Sequence, residues 1–400
     1  MPLKKRFFLI TALLYILYTI FPLFADIISI PVWLPSMTSV GVFAILYPRA
    51  FANRTFYWFL AYAVVLGICV LIGKPLTIGI GTIADRRKII IEFAFILPTI
   101  SIISILSYLN DIKLTRALIK WFVIILFASF IVAYPLMVQY NSLRHAFFDE
   151  DLAFNIKGLP SYSLMHSYLF IIPLLCYAYK STIKHKWLFL MAIIASSFVI
   201  IRTDVGTCII LMVLLYMISL GYQENRSAYY WLLLTMALLI LYFLYQIFFV
   251  ELIDILLPYF EDTSFAKKLV SMQISSEEAQ LSGNFETRNN LHLISFESFL
   301  ANPLFGNSKV GGHSVLIDRL GGMGLVTFIP YIMIYISQIR QMRKLYQTKM
   351  ARDYYFFGVL AGFVFLYEKG LWGCECWLMY MVVMPMGIWV LEKRKLKSVD

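Results

Sequence analysis

The chain reads as an all-α polytopic membrane protein of about twelve transmembrane helices, and three observations lead there. Of its 400 residues, 61% are hydrophobic and only 14% charged, where a soluble globular domain carries about 25% charge. Apolar runs near the roughly 20 residues that cross a bilayer recur along most of its length. The charge that remains is basic, net +11, and it sits in the short connections between those runs, which is the bias that orients cytoplasmic loops. That placement argues against nucleic acid as the partner of the basic charge. No polar stretch is long enough to fold a separate core.

Taken in order, the apolar runs fall at residues 7–25, 30–47, 56–73, 89–109, 117–138, 161–180, 187–201, 206–222, 229–250, 321–339, 354–371 and 372–391. The first follows Lys4, Lys5 and Arg6 and is too long for a signal peptide, with no small-residue cleavage site behind it, so it reads as an uncleaved span. The last two are nearly fused. With the amino terminus inside, the inner connections hold Arg49 and Arg54, Lys113 and Arg116, Lys180, Lys184 and Lys186, then Arg340, Arg343, Lys344, Lys349 and Arg352. Both termini are then cytoplasmic. One connection breaks the rule: Asp85-Arg86-Arg87-Lys88 falls outside, after the Pro- and Gly-bearing run at 74–84. Either that run is re-entrant, or Arg86 and Arg87 meet an anionic lipid at the outer face.

Three divisions follow: residues 1–250 with the first nine spans, a large extracytoplasmic loop at 251–320, and residues 321–400 with the last three spans and a basic tail. Stretches near 251–260 and 291–300 are amphipathic and suit the membrane surface. The five cysteines (Cys69, Cys176, Cys208, Cys374 and Cys376) show neither zinc nor disulfide spacing, and the CxC of the last pair reads as packing. Asp149-Glu150-Asp151 looks like an acidic metal motif, but short acidic triplets are common in loops. No metal or other cofactor is expected. Glu92 in the fourth span and Glu368-Lys369 at the end of the eleventh need partners in a membrane; they either pair with one another or line the substrate cavity.

The residues suited to chemistry gather at the outer side. Arg202 ends the seventh span. It either snorkels to headgroups, pairs with Asp204 to tighten the turn, or binds an anion in a cavity. Arg288 and His313 lie in the late loop with ANPLFGNSKVGG between them. Gly306, Gly311 and Gly312 would let the backbone turn tightly and approach a ligand, and imidazole can accept a proton near neutral pH. Asp318 stands one helical turn after His313. It would orient the imidazole if the helix began early; otherwise it is solvated or linked near Arg319.

Arg288, then Pro303-Leu304-Phe305-Gly306, Gly312-His313-Ser314 and Leu320-Gly321-Gly322-Met323-Gly324-Leu325 resemble the large-loop pattern of the bacterial O-antigen ligase and polysaccharide polymerase superfamily. Arg202 is similar to an arginine those proteins carry at the matching place, while Asp204 and the compact loop depart from the pattern. The matching motifs cover about a tenth of the chain. The resemblance implies a GT-C-like, metal-independent, inverting glycosyltransferase of the bacterial cytoplasmic membrane. Its donor and acceptor would be glycans carried on undecaprenyl pyrophosphate, with a flippase and a chain-length regulator as possible partners. Arg202 and Arg288 would hold the pyrophosphate through bidentate, charge-assisted hydrogen bonds, and His313 would be the general base. Asp318, Asp204, Arg86 and Arg87 would support them. A repeat-unit polymerase is the preferred reading and a ligase the alternative. A polysaccharide flippase is the alternative of another class, disfavoured because no inverted repeat is visible.

Overall fold

A computed structural model describes residues 1–21, 24, 30–31, 33–71, 86–139, 161–182, 186–203, 206–224, 285–307, 309–312, 314–368 and 373–396. They form twelve α-helices: α1 Leu3–Ile20, α2 Trp33–Leu46, α3 Arg54–Leu71, α4 Arg86–Leu109, α5 Ile112–Gln139, α6 Tyr162–Ser181, α7 Lys186–Arg202, α8 Gly206–Gly221, α9 Phe285–Ala301, α10 Val315–Arg343, α11 Lys349–Glu368 and α12 Cys374–Leu396. No strand occurs among the described residues.

Among the described residues four stretches are long and apolar enough to cross a membrane: Glu92–Leu109, Ile112–Gln139, Val315–Arg343 and Cys374–Leu396. In lipid the backbone must satisfy its own polar groups, and a helix does that within one segment. Serines and threonines cooperate in this. Ser39, Ser101, Ser196 and Ser197 each return a hydroxyl to the carbonyl four residues back (2.7–2.8 Å), so their polar atoms need no water.

α12 is the centre of the bundle, with 94% of its apolar window buried, and it runs through a single π-helical turn at Met379–Val383. It packs on α5, α6 and α11. Around it, α6 touches α7, α8 and α11, and α1 touches α2 and α5, while α10 lies against α3, α9 and α11. Close approach of α11 to α12 depends on small residues. A methyl at Gly362 would run into the Tyr380 ring, the kind of contact that membrane helices use where no hydrophobic drive separates protein from lipid.

The directions of the helices sort the charges. Lys5 at the start of α1 pairs with Asp111 ahead of α5. Lys180 at the end of α6 reaches the Tyr222 carbonyl after α8 (2.6 Å), and Glu392 near the end of α12 meets the start of α11. These contacts define one basic end. The other end collects the last carbonyls of α5, the start of α12 beside Ser161, and the start of α10 beside Glu92 on α4. Glu92 lies 17 residues before Leu109, about 25 Å along the axis. The Arg86-Arg87-Lys88 run therefore opens α4 at this second end, away from the other basic connections; the run at 74–84, for which a re-entrant course was one alternative, lies outside the described residues. The side chains of Arg86 and Arg87 are outside the described residues, as are 72–85.

Two boundaries differ from the sequence reading. The tenth apolar helix starts at Val315 rather than at 321, because Ser314 caps it by accepting the Ile317 N–H (3.1 Å). The amphipathic stretch at 291–300 is part of α9, which buries Ser295 and Ser298 and exposes Leu293, Phe296 and Leu300, an outward apolar row consistent with the interfacial expectation. The ninth apolar run and the loop at 251–284 lie outside the described residues.

Candidate functional site

The end of the bundle opposite the basic one is built around a break in α10. At Gly324 the backbone turns to φ 65°, ψ −177°, so the helix loses its internal hydrogen bonds for a turn. The segment after α9 repairs the break. The Pro303 and Leu304 carbonyls accept the N–H groups of Leu325 (2.9 Å) and Val326 (3.1 Å), and the Asn307 N–H donates to the Gly321 carbonyl (2.8 Å). Gly306, itself at φ 67°, presses on Gly321–Met323, while Gly324 presses on Leu304 and Gly306. A Cβ at either place would overlap backbone, and an L-residue would also be strained by the positive φ. PLFG and GGMG are two halves of one interlock. The expectation that Gly306 approaches a ligand is corrected here: what approaches it is the protein's own broken helix. Irregular backbone survives at membrane depth when it is sealed by protein in this way.

α9 is fastened to the same unit. Gly311 lies on the Leu291 backbone and Gly321 on the Ser295 backbone, each too closely for a side chain. Ser295 donates to Asp318 Oδ1 (2.6 Å) and its oxygen accepts the Gly311 N–H (2.8 Å). Asp318 Oδ2 accepts the Ser314 N–H (2.8 Å), and Ser298 donates to the Lys309 carbonyl. Asp318 is 2% exposed, so the solvated alternative for this residue is overturned. Nor does it form an ion pair among the described residues. It is the acid of a reciprocal helix cap, stabilised by the positive end of α10. Gly311 and Ser314, described residues on either side of His313, are thereby fixed to α9 and α10. His313 itself and Asp204 lie outside the described residues. Of Arg288 only the backbone is described, in the first turn of α9, three residues before Leu291.

Next to Asp318 stands Arg319, which the sequence offered only as a neighbour for Asp318 and not as a partner for Glu92. Its guanidinium is buried among α3, α4 and α10. Nη2 donates to Glu92 Oε1 (2.6 Å) and Nη1 to the Tyr62 hydroxyl (2.6 Å), and the Tyr331 ring lies 4.2 Å from its carbon centre. Tyr62 in turn donates to Glu92 (3.3 Å). The chain of polar rings continues through the Tyr331–Tyr335 hydroxyl pair (2.9 Å) to Trp377, stacked on Tyr335 at 4.7 Å. This answers what Glu92 pairs with: Arg319, while Lys369 lies outside the described residues. The signal was present in the sequence. An unmatched acid in one span and an arginine just inside another are each costly alone in a membrane and cheap together.

Arg202 is half-buried at the end of α7. Its Nε donates to the Met137 carbonyl (2.7 Å) and Nη2 to the Val138 carbonyl (3.0 Å), two of the last acceptors of α5 that no helical N–H can reach. Its guanidinium also lies 5.8 Å from the Phe198 ring centre. Both carbonyls are neutral acceptors, and they fix the guanidinium at the end of α5. Arg202 and Arg319 are thus on the same end of the bundle.

All five cysteines are free and buried, in keeping with packing. Cys374 and Cys376 flank Glu375, whose Oε1 accepts the Ser161 hydroxyl (2.5 Å) and so ties α12 to the start of α6. Among the described residues no three His, Cys, Asp or Glu side chains are grouped as metal ligands would be; Asp149, Glu150 and Asp151 fall outside them. The chain matches no protein-family model, and comparison with curated proteins finds no relative of it.

Proposed function

We propose that the chain is a membrane glycosyltransferase of about twelve spans and GT-C-like architecture, which polymerises oligosaccharide repeat units carried on undecaprenyl pyrophosphate at the outer face of a bacterial cytoplasmic membrane. The end rich in lysine and arginine, with both termini, faces the cytoplasm. Arg202 and Arg288 bind the pyrophosphate and stabilise the charge that develops on it as it leaves, without a metal. His313 takes the proton from the attacking sugar hydroxyl, and inversion at the anomeric carbon follows from a single displacement. Asp204, Asp318, Arg86 and Arg87 support that site.

The observation that carries this reading is the fastening of Gly311 and Ser314, which stand on either side of His313 in the chain. A general base must be held within hydrogen-bond reach of its proton, and rigid support for such a group is what separates a site from a loop. Gly311 and Ser314 are held to Ser295 and Asp318 at 2.8 Å each, and the same helix α9 carries Arg288 in its first turn. A translocation path would want that segment free to move, whereas PLFG and GGMG lock it.

The test is a gel of lipid-linked and surface glycan from the native host, with wild type beside His313→Ala at matched protein level. Loss of general-base catalysis costs about 10²–10⁴ in rate, so a ladder of chain lengths should collapse to single repeat units. Full-length chains stranded on the lipid carrier would indicate the ligase instead. An unchanged ladder would remove His313 and with it the enzyme reading.

A further inference from the structure

The basic end holds a groove of about 990 Å³ between α3 and α10, closed on one side by Arg352 of α11. Arg54, Arg340, Arg343, Lys344 and Arg352 line it, and no carboxylate does. Among the described residues the only side-chain ion pairs are Lys5–Asp111 and Glu92–Arg319, so none of these five cations is matched by an acid. Like charges brought to one cleft repel, and such a cleft concentrates anions. Asn53, Ser337 and Gln341 add polar groups beside them, while Tyr57, Trp58 and Met333 form the inner wall.

The wall does not stop at the groove. On α3 the exposed residues Tyr57, Leu60, Val64 and Ile68 continue it along one face at helical spacing, and on α10 Met333 is followed back by Ile329 and Val326, also exposed. The groove is therefore a cationic cradle at the mouth of an apolar seam that runs toward the middle of the bundle. A soluble anion would use the cradle and leave the seam bare. An amphiphile with a phosphate head and acyl chains covers both.

We infer that this groove is a binding site for an anionic phospholipid, its headgroup phosphate held by Arg54, Arg340 and Arg343 and its acyl chains lying along Tyr57, Leu60, Val64 and Ile329. Arginine forks suit phosphate oxygens in two-point hydrogen bonds, and basic pockets between membrane helices are where anionic headgroups are retained. The site is some 30 Å along α10 from Arg319, the length of 21 residues. It is separate from the proposed catalytic end.

The experiment is native mass spectrometry of the purified full chain in neutral detergent with added phosphatidylglycerol, phosphatidylcholine or inorganic phosphate. Wild type should retain phosphatidylglycerol over phosphatidylcholine. The triple variant Arg54→Gln/Arg340→Gln/Arg343→Gln should lose about a hundredfold in apparent affinity, at about fivefold per cation near a membrane surface. Neutralising Lys393, Arg394 and Lys395 in the same way changes net charge equally and should leave retention intact; if it lowers retention as much, binding is non-specific and the inference fails. Inorganic phosphate that competes the lipid off at equal concentration would assign the cradle to a soluble anion instead, and equal retention of both lipids would also overturn it. Size-exclusion elution at the wild-type volume shows that the triple variant is folded. If it is not, Leu60→Glu/Val64→Glu, which spares every cation, should weaken lipid retention and leave inorganic phosphate binding unchanged; no effect on lipid would overturn the site.

Discussion

The two ends of the bundle handle charge in opposite ways. At the basic end Arg54, Arg340, Arg343 and Lys344 are exposed and face one another across open space, and the acids there work on helix ends. Asp111 accepts the Lys113 and Leu114 N–H groups at the start of α5 (2.9 and 3.1 Å), and Glu392 accepts the Gln347 and Thr348 N–H groups at the start of α11 (2.9 and 2.6 Å). At the other end Glu92, Asp318, Arg319 and Glu375 are each less than 9% exposed; Glu92, Arg319 and Glu375 join elements far apart in the chain, and Asp318 joins α9 to α10. A charge left in water keeps its hydration and constrains little. One taken out of water is tolerable only if its partners are exact, so it constrains a great deal. Apart from Glu392, which is itself buried against the start of α11, the charges of the basic end are left to meet what lies outside the protein, while those of the other end are committed to internal geometry.

Removing one partner of the buried pair tests that contrast most severely. Arg319→Met should destabilise by about 3–5 kcal/mol, since it leaves Glu92 buried and uncompensated. The double variant Glu92→Leu/Arg319→Met should recover much of that loss. Denaturant titration in detergent checks both, and a single variant as stable as wild type would show that the pair is not sealed from water. Next in size is the interlock. Gly324→Ala forces a side chain into a positive-φ position and against the Leu304 carbonyl. The expected cost is about 1–3 kcal/mol for the strain, with crowding adding to it. Protease should then cut first between residues 302 and 312, whereas a cleavage pattern unchanged from wild type would mean that the interlock does not hold that segment.

The smallest effect belongs to the exposed end. The hydrogen bond from Lys5, with help from the Leu114 and Lys113 N–H groups, holds the Asp111 carboxyl below its ordinary value. A group depressed in this way stabilises the fold above its unfolded pKa, and that stabilisation is lost as pH falls through the folded one. Lys5→Met should therefore lower stability by at most about 1 kcal/mol at neutral pH, with the difference from wild type closing in acid. A gap that stayed constant down to low pH would mean that Lys5 acts by packing and not by charge.

Much of this was legible in the chain beforehand, and the limits have a clear cause. Apolar length located twelve runs, eleven of them among the described residues; ten of the described helices overlap one closely, while α10 begins a turn and a half early. That early start was also readable, because Ser314 followed by an acid is a capping pattern. Glu92 was recognisable as needing a partner, yet Arg319 is 227 residues away. Spans that are apolar on every side carry no periodic signal of which face meets which neighbour. The glycines misled for a related reason. A close backbone approach is written the same way whether a ligand or another helix does the approaching, and only the coordinates show PLFG seated in the break at Gly324.

By itself the sequence determined that these residues form apolar helices and that the basic connections share a side apart from Arg86-Arg87-Lys88, and it singled out Arg202, Arg288 and His313 as candidates for chemistry, since length, hydropathy and residue type are local properties. The tertiary structure alone decided that Glu92 meets Arg319, that Asp318 is a buried cap, that Arg202 closes the end of α5, and that five cations converge on one groove. Those depend on which helices touch, and in a low-dielectric interior the pairing of a few distant polar groups is what selects among many otherwise equivalent packings.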